Sequence, residues 1–202
     1  AQTPCRYGAP TVLVVAYDKG NVFTYPGGKR DSGIEDASIV ATHMLLAATD
    51  AGVDGCWLNF FDPDLLAKDL GKWVYTRLSA CTQAQLTKMW DMYIAGEFGG
   101  MNECLAYLYR LTKDEDYLKA AKLFDNTKFF DNLAINYDDV AGRHANQHIP
   151  QIIGALELYQ ATVEAGKEEI YYYNVAKNFW DMVISRYAYS IGGVGTGERF
   201  QQ

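Results

Sequence analysis

Runs of basic residues are absent from this chain. Its 18 Lys and Arg stand against 25 Asp and Glu, for a formal charge of −7. That balance argues against nucleic acid as a partner, because phosphate binding needs Lys and Arg to replace counterions. It argues equally against an anionic membrane surface, which recruits polybasic segments. Long apolar runs are also missing; none approaches the roughly 18 residues that suggest a membrane span. The opening AQTPCRYGAP has neither the basic start nor the apolar stretch of a secretory signal. These absences lead to the expectation of a soluble, cytoplasmic chain. Cysteine is sparse: Cys5, Cys56, Cys81 and Cys104 lie far apart with no C-x-x-C. Zinc sites usually show a close pair, so the four are read as buried cytosolic thiols and no metal ligand is assigned.

What is present is a globular composition, 49% hydrophobic and 21% charged, which suffices for a packed core. The 15 Tyr and 4 Trp are read first as core rings and second as surfaces for sugars or other rings. Residues 11–17, TVLVVAY, are β-branched and apolar and predict a buried strand. DKGNVFTYPGGKRDSG is a loop. From Ile34 to Ala51 the pattern is helical, with Asp31 or Ser32 as cap and Glu35 and Asp36 suited to the positive helix start. Its apolar residues spread so widely that the helix is expected to be covered on most sides. GCWLNFF predicts a second strand. DPDLLAKDLG predicts a short helix with Asp62 as cap and Pro63 at its first position, ending at Gly71.

After residue 71 the texture changes. Helical patterns follow at about 82–95, 100–111, 115–125, 146–165 and 168–186, separated by GEFGG, TKDED, DDVAGRH and EAGKE. The expected fold is mainly α: a partial (α/α) helical barrel preceded by a small α+β segment with two strands. The change of class near Gly71 marks a domain boundary, 1–71 against 72–202. No Gly-, Ser- or Pro-rich linker separates the two.

Both segments carry resemblances. APTVLVV and GIEDASIVATHMLLAATDAGVDGCWLNFFDPDLLAKDLG resemble the C-terminal half of a flavin-dependent nitroreductase. The resemblance implies that Leu58, Asn59 and Phe60 lie in a loop beside a flavin ring. The segments that grip the flavin phosphate in that family have no counterpart here, so tight flavin binding is not expected. Residues 72–202 resemble glycoside hydrolases of the β-L-arabinofuranosidase type, which have an (α/α)-barrel catalytic domain. The runs that carry this are EFGGMNECLAYLYRLTKDEDYLKAAKLFD, DDVAGRHANQHIPQIIGALELYQAT, NFWDMVISRYAYSIGGVG and GERF. Gln147, His148 and Gln151 depart from the family's usual run after His-Ala-Asn. The whole therefore reads as a chimera or composite of two incomplete families.

Glycosidic cleavage needs an acid near the leaving oxygen and a base or nucleophile opposite. Glu198, in the Gly-rich GGVGTGERF, is the candidate acid, and the resemblance implies acid/base work there. Asn102 and Glu103, in GGMNE, read in isolation as helix-start residues; the resemblance implies that they face the sugar pocket. His144 and Asn146, in GRHAN, are candidate substrate contacts. His148 reads as helical surface, His43 as a satisfied core residue, and Cys104 as core. The resemblance also implies a zinc-bound cysteine nucleophile beyond GERF, with no matching cysteine in this chain. No cofactor is therefore expected here: zinc would belong to a complete hydrolase, FMN to a complete nitroreductase. The expected partner is an L-arabinose-containing glycan. Apolar helix faces left open by a partial barrel predict self-association.

Overall fold

Helices account for nearly all the regular structure in this computed structural model, which describes residues 9–58, 62–90 and 98–201. Among the described residues the α-helices are α1 (Gly33–Asp50), α2 (Pro63–Ser79), α3 (Gln83–Trp90), α4 (Met101–Thr112), α5 (Glu115–Lys122), α6 (Thr127–Ala134), α7 (Ala145–Glu164) and α8 (Ile170–Met182). A π-helical turn, Val183–Tyr187, extends α8. The mainly helical class expected from the sequence is what the chain adopts.

Neither expected strand is formed among the described residues. Residues 11–17 have no regular structure, and Val12, Leu13 and Val14 are exposed. Residues 55–58 are likewise irregular, and the rest of GCWLNFF lies outside the described residues. The β-branched composition was real, but strand formation needs a partner to complete the hydrogen-bond ladder. The only bridges among the described residues are isolated ones, such as Thr24 with Asp31.

The chain divides into two compact units, Ala1–Pro63 and Asp64–Gln202. In the first, a turn closes from Tyr25 to Gly28 and leads into α1. Asp31 Oδ1 accepts from the Gly33 amide at 3.0 Å, while the Ser32 hydroxyl donates to Asp36 instead. Of the two cap candidates, Asp31 therefore holds the helix start. α1 is not covered on most sides: Gly33 is its one buried residue, and Ile34, Ile39, Val40 and Leu46 are exposed. His43 is exposed as well, bonded through Nδ1 to the Ile39 carbonyl rather than buried in a core.

The second unit holds the core. Leu105 and Tyr109 of α4, Leu118 and Ala121 of α5, Phe129, Phe130 and Leu133 of α6, Ile152, Ala155 and Leu158 of α7, and Val175 and Phe179 of α8 form one buried cluster. α4 packs on α5 and α7, and α8 packs on α6 and α7. Local chemistry fixes the ends. Thr82 and Gln85 exchange bonds across the first turn of α3, a capping box. Asp114 caps α5 by accepting from the Asp116 amide.

Two glycines set how closely these helices approach. A Cβ on Gly154 of α7 would sit 2.6 Å from Asn102 Cβ, so its absence lets α4 lie against α7. A Cβ on Gly71 would fall 2.7 Å from Leu108 and Tyr117 side-chain atoms. This explains why α2 runs through Gly71 instead of ending there. Tertiary contact outweighs the helix cost of glycine, about 1 kcal/mol. The Lys68 carbonyl accepts from the Tyr117 hydroxyl at 3.0 Å, and Lys72 pairs with Asp114 and Asp116 at 2.9 and 2.7 Å.

Thiols are not core groups here: Cys56 and Cys104 are exposed and Cys81 is half-buried, while Cys5 lies outside the described residues.

Candidate functional site

α7 begins at His144, which occupies its N-cap position. The ring Nδ1 accepts from the Gln147 amide at 3.3 Å, so the ring proton sits on Nε2. Nε2 lies 3.0 Å from Glu198 Oε2 and donates to it. His144 is buried, whereas the Glu198 side chain is 71% exposed. The pair thus joins a fixed, buried imidazole to a carboxylate that remains open to solvent.

The GERF segment reaches His144 through a short antiparallel contact. The Ala145 amide donates to the Glu198 carbonyl at 2.8 Å, and the Phe200 amide to the Arg143 carbonyl at 3.0 Å. Gly142 donates back to the Phe200 carbonyl at 2.7 Å. Gly197 and Glu198 both have left-handed backbones, φ 57° and 62°. They are the two central residues of a tight turn closed between Thr196 and Arg199, a turn that requires left-handed backbone at both positions.

The remaining sequence candidates take different positions. Asn146, on the first turn of α7, is exposed. Glu103 is exposed on α4 and, with Gly100, Cys104, Tyr107 and Glu157, lines an open depression of about 370 Å³. Asn102 does not open onto either surface. It is fully buried, and its amide donates to the Ala121 carbonyl at 3.1 Å and to Asp125 at 2.9 Å. The reason is geometric: next to Gly154, the first turn of α4 presses Asn102 inward and leaves Glu103 outward. Leu58 is half-buried, and Asn59 and Phe60 lie outside the described residues.

Sequence reasoning missed the polar cluster that receives Asn102. Asp125 accepts from the Tyr172 hydroxyl at 2.6 Å, and burial pushes its carboxyl up to about 7 against the lowering effect of that bond. Burial and the Asp125 charge in turn hold the Tyr172 hydroxyl well above the usual phenol range. Asn102 Oδ1 is buried without a protein partner. Asp125 and Tyr172 are 47 residues apart, and no spacing rule links them. His148 is also no surface residue. Its ring stacks edge-on against Phe129 at 4.9 Å, Nδ1 donates to the His144 carbonyl, and Nε2 faces Arg143 at 3.4 Å. Burial lowers its basicity, which keeps the imidazole in the neutral form that this bonding requires.

No helix among the described residues is long and apolar enough to cross a membrane. No three His, Cys, Asp and Glu side chains among the described residues gather as a metal would require. No curated protein matches the chain. Residues 4–74 match the nitroreductase family, and residues 65–202 match the β-L-arabinofuranosidase, GH127 catalytic domain family. The two matches share 65–74, within α2, and each is a partial family in one composite chain. The second spans about two thirds of the sequence and includes every element of the core, so the chain belongs to the GH127 β-L-arabinofuranosidase catalytic-domain family.

Proposed function

We propose that the helical unit is a glycoside-hydrolase module that binds a pentose, L-arabinose in the first instance, at the His144–Glu198 pair. The observation that carries this reading is the 3.0 Å contact itself, made between two motifs 54 residues apart. Glu198 is the acid/base group. With Oε2 held by the imidazole, Oε1 is the oxygen that reaches the glycosidic oxygen, and the exposed side chain leaves room for a sugar. His144 orients the carboxylate and, through its cap bond, keeps a single tautomer. Asn146, exposed on the first turn of α7, supplies a further hydroxyl contact, while Glu103 lines a separate depression with Glu157.

The family implies a zinc-bound cysteine as nucleophile. The described cysteines do not fit that group: Cys56, Cys81 and Cys104 form no cluster with His, Asp or Glu. This chain's own part is therefore pentose binding and the acid/base group.

The test is thermal unfolding with L-arabinose. At ten times the dissociation constant, a ligand bound only to the native state adds about 1.4 kcal/mol of stability. The wild-type melting temperature should rise with L-arabinose and not with other pentoses. Glu198→Ala and His144→Ala should abolish the rise. A wild-type chain that unfolds identically with and without the sugar overturns the reading. Retention of flavin absorbance through gel filtration would instead favour a redox role for the segment matched at 4–74.

A further inference from the structure

Glu198 faces a mechanical problem that its own side chain does not solve. Gly197 and Glu198 are the central, left-handed residues of the tight turn between Thr196 and Arg199, which accounts for the backbone but not for where the largely exposed carboxylate sits. A single hydrogen bond to His144 at an exposed site is a weak restraint. Something else must hold the segment in register.

We propose that Phe200 is the positioning residue of the site: it fixes the register of the GERF segment and so places Glu198 against His144. Phe200 is fully buried. Its ring meets Phe179 edge-on at 5.7 Å and Tyr187 at 6.1 Å, joining the end of α8 and the π-helical turn to the segment. From that anchor the backbone pairs outward: Phe200 with Gly142 and Arg143, the bridge of Arg199 with His144, then Glu198 with Ala145. Thr196 and Arg199 close the segment on itself through reciprocal amide bonds of 2.9 and 3.2 Å. Side chains in an extended pair alternate faces. A slip of one residue would turn Phe200 out of the core and Glu198 away from the imidazole. The left-handed backbone at Glu198 belongs to the Thr196–Arg199 turn, and the aromatic wedge two residues later fixes where that turn sits.

The inference rests on the proposed role of Glu198, but its test does not need sugar. In the wild type, Glu198→Gln removes the charged acceptor from Nε2 and should displace the ring-nitrogen NMR signals of His144. In Phe200→Ala the same signals should already be displaced, and adding Glu198→Gln should change them no further. Phe200→Leu, which restores an apolar plug, should recover the wild-type response. Circular dichroism and the NMR signals of the other core residues establish that the helices persist. If Phe200→Ala does not fold, Phe179→Leu removes the ring against which the wedge rests and should reduce the response in part. A full Glu198→Gln response in Phe200→Ala, or in Phe179→Leu when the alanine variant is unfolded, overturns the proposal. Loss of arabinose binding with an intact wild-type response would overturn the functional reading and leave the wedge standing.

Discussion

α1 and α7 are both long apolar helices, of 18 and 20 residues, with very different surroundings. α7 buries nine residues, among them Ile152, Ala155 and Leu158. α1 buries one. Their sequences are both rich in alanine and aliphatic residues, so composition does not separate them. What separates them is the company within their own units. α7 has α4, α5 and α8 packed on it; among the described residues of the first unit there is no second helix before Pro63. Helical pattern establishes where a helix forms, and neighbouring elements decide whether its apolar face stabilises anything.

The sharpest way to break this comparison is to cut the same group from each helix. Leu158→Ala, at a fully buried position, should cost about 2–5 kcal/mol through lost burial and a residual cavity. Denaturant unfolding measures it directly. An effect below about 0.5 kcal/mol would mean that the cluster around α7 is not a cooperative core. Gly71→Val tests the close contact of α2 with Leu108 and Tyr117. Its new side chain would meet Leu108 and Tyr117, so a loss of about 1–3 kcal/mol is expected from overpacking; a neutral result would show that α2 is free to move away.

A smaller effect should follow from the Asp125 cluster. Burial raises its carboxyl to about 7 in the folded chain, above the ordinary value of 3.8. The folded state therefore holds the proton more tightly than the unfolded state. The resulting stabilisation is complete below about pH 4 and is lost as pH rises through about 7. Nearby Lys122 opposes the shift and Glu169 supports it. The melting temperature should fall by a few degrees between about pH 5 and 8, and Asp125→Asn should flatten that slope. A slope identical in the variant would place the titrating group elsewhere. The smallest expected effect is Leu46→Ala in α1, within about 0.5 kcal/mol, because Leu46 is 63% exposed. A large loss there would show that α1 is covered in solution.

The pattern in the sequence carried most of the helical unit. α4, α7 and α8 were legible because apolar residues recur at helical spacing and glycine or acidic breakers separate them. α6 was not, since TKFFDNLA is only eight residues long and falls in the gap between the helical pattern at 115–125 and the DDVAGRH break. The strand expected at 11–17 failed for a different reason: β-branched composition is a property of the segment, and pairing is a property of its neighbours. His144 and Glu198 came from Gly-flanked polar motifs together with the family resemblance, and the structure brings the two into contact. Asn102 was legible as a motif residue, but its direction was set by Gly154 on another helix. Asp125, Tyr172 and Phe200 act through contacts that close only when α4, α5 and α8 pack, so no local pattern announced them.

The run of α2 through residues 65–74, shared by both family matches, has a practical consequence. An α-helix satisfies its hydrogen bonds within its own backbone. Such a segment can be exchanged for another helical sequence provided the inward residues keep their phase. In α2 those are Gly71, Val74, Tyr75 and Leu78, all beyond the second turn. A tie to the earlier turns runs from Tyr117 to the Lys68 backbone carbonyl, which any residue at 68 would offer. A helical sequence exchanged into the first two turns of α2 in continuous register would also have to keep the half-buried Leu65 and Leu66, while the exposed positions 67–70 are open to change.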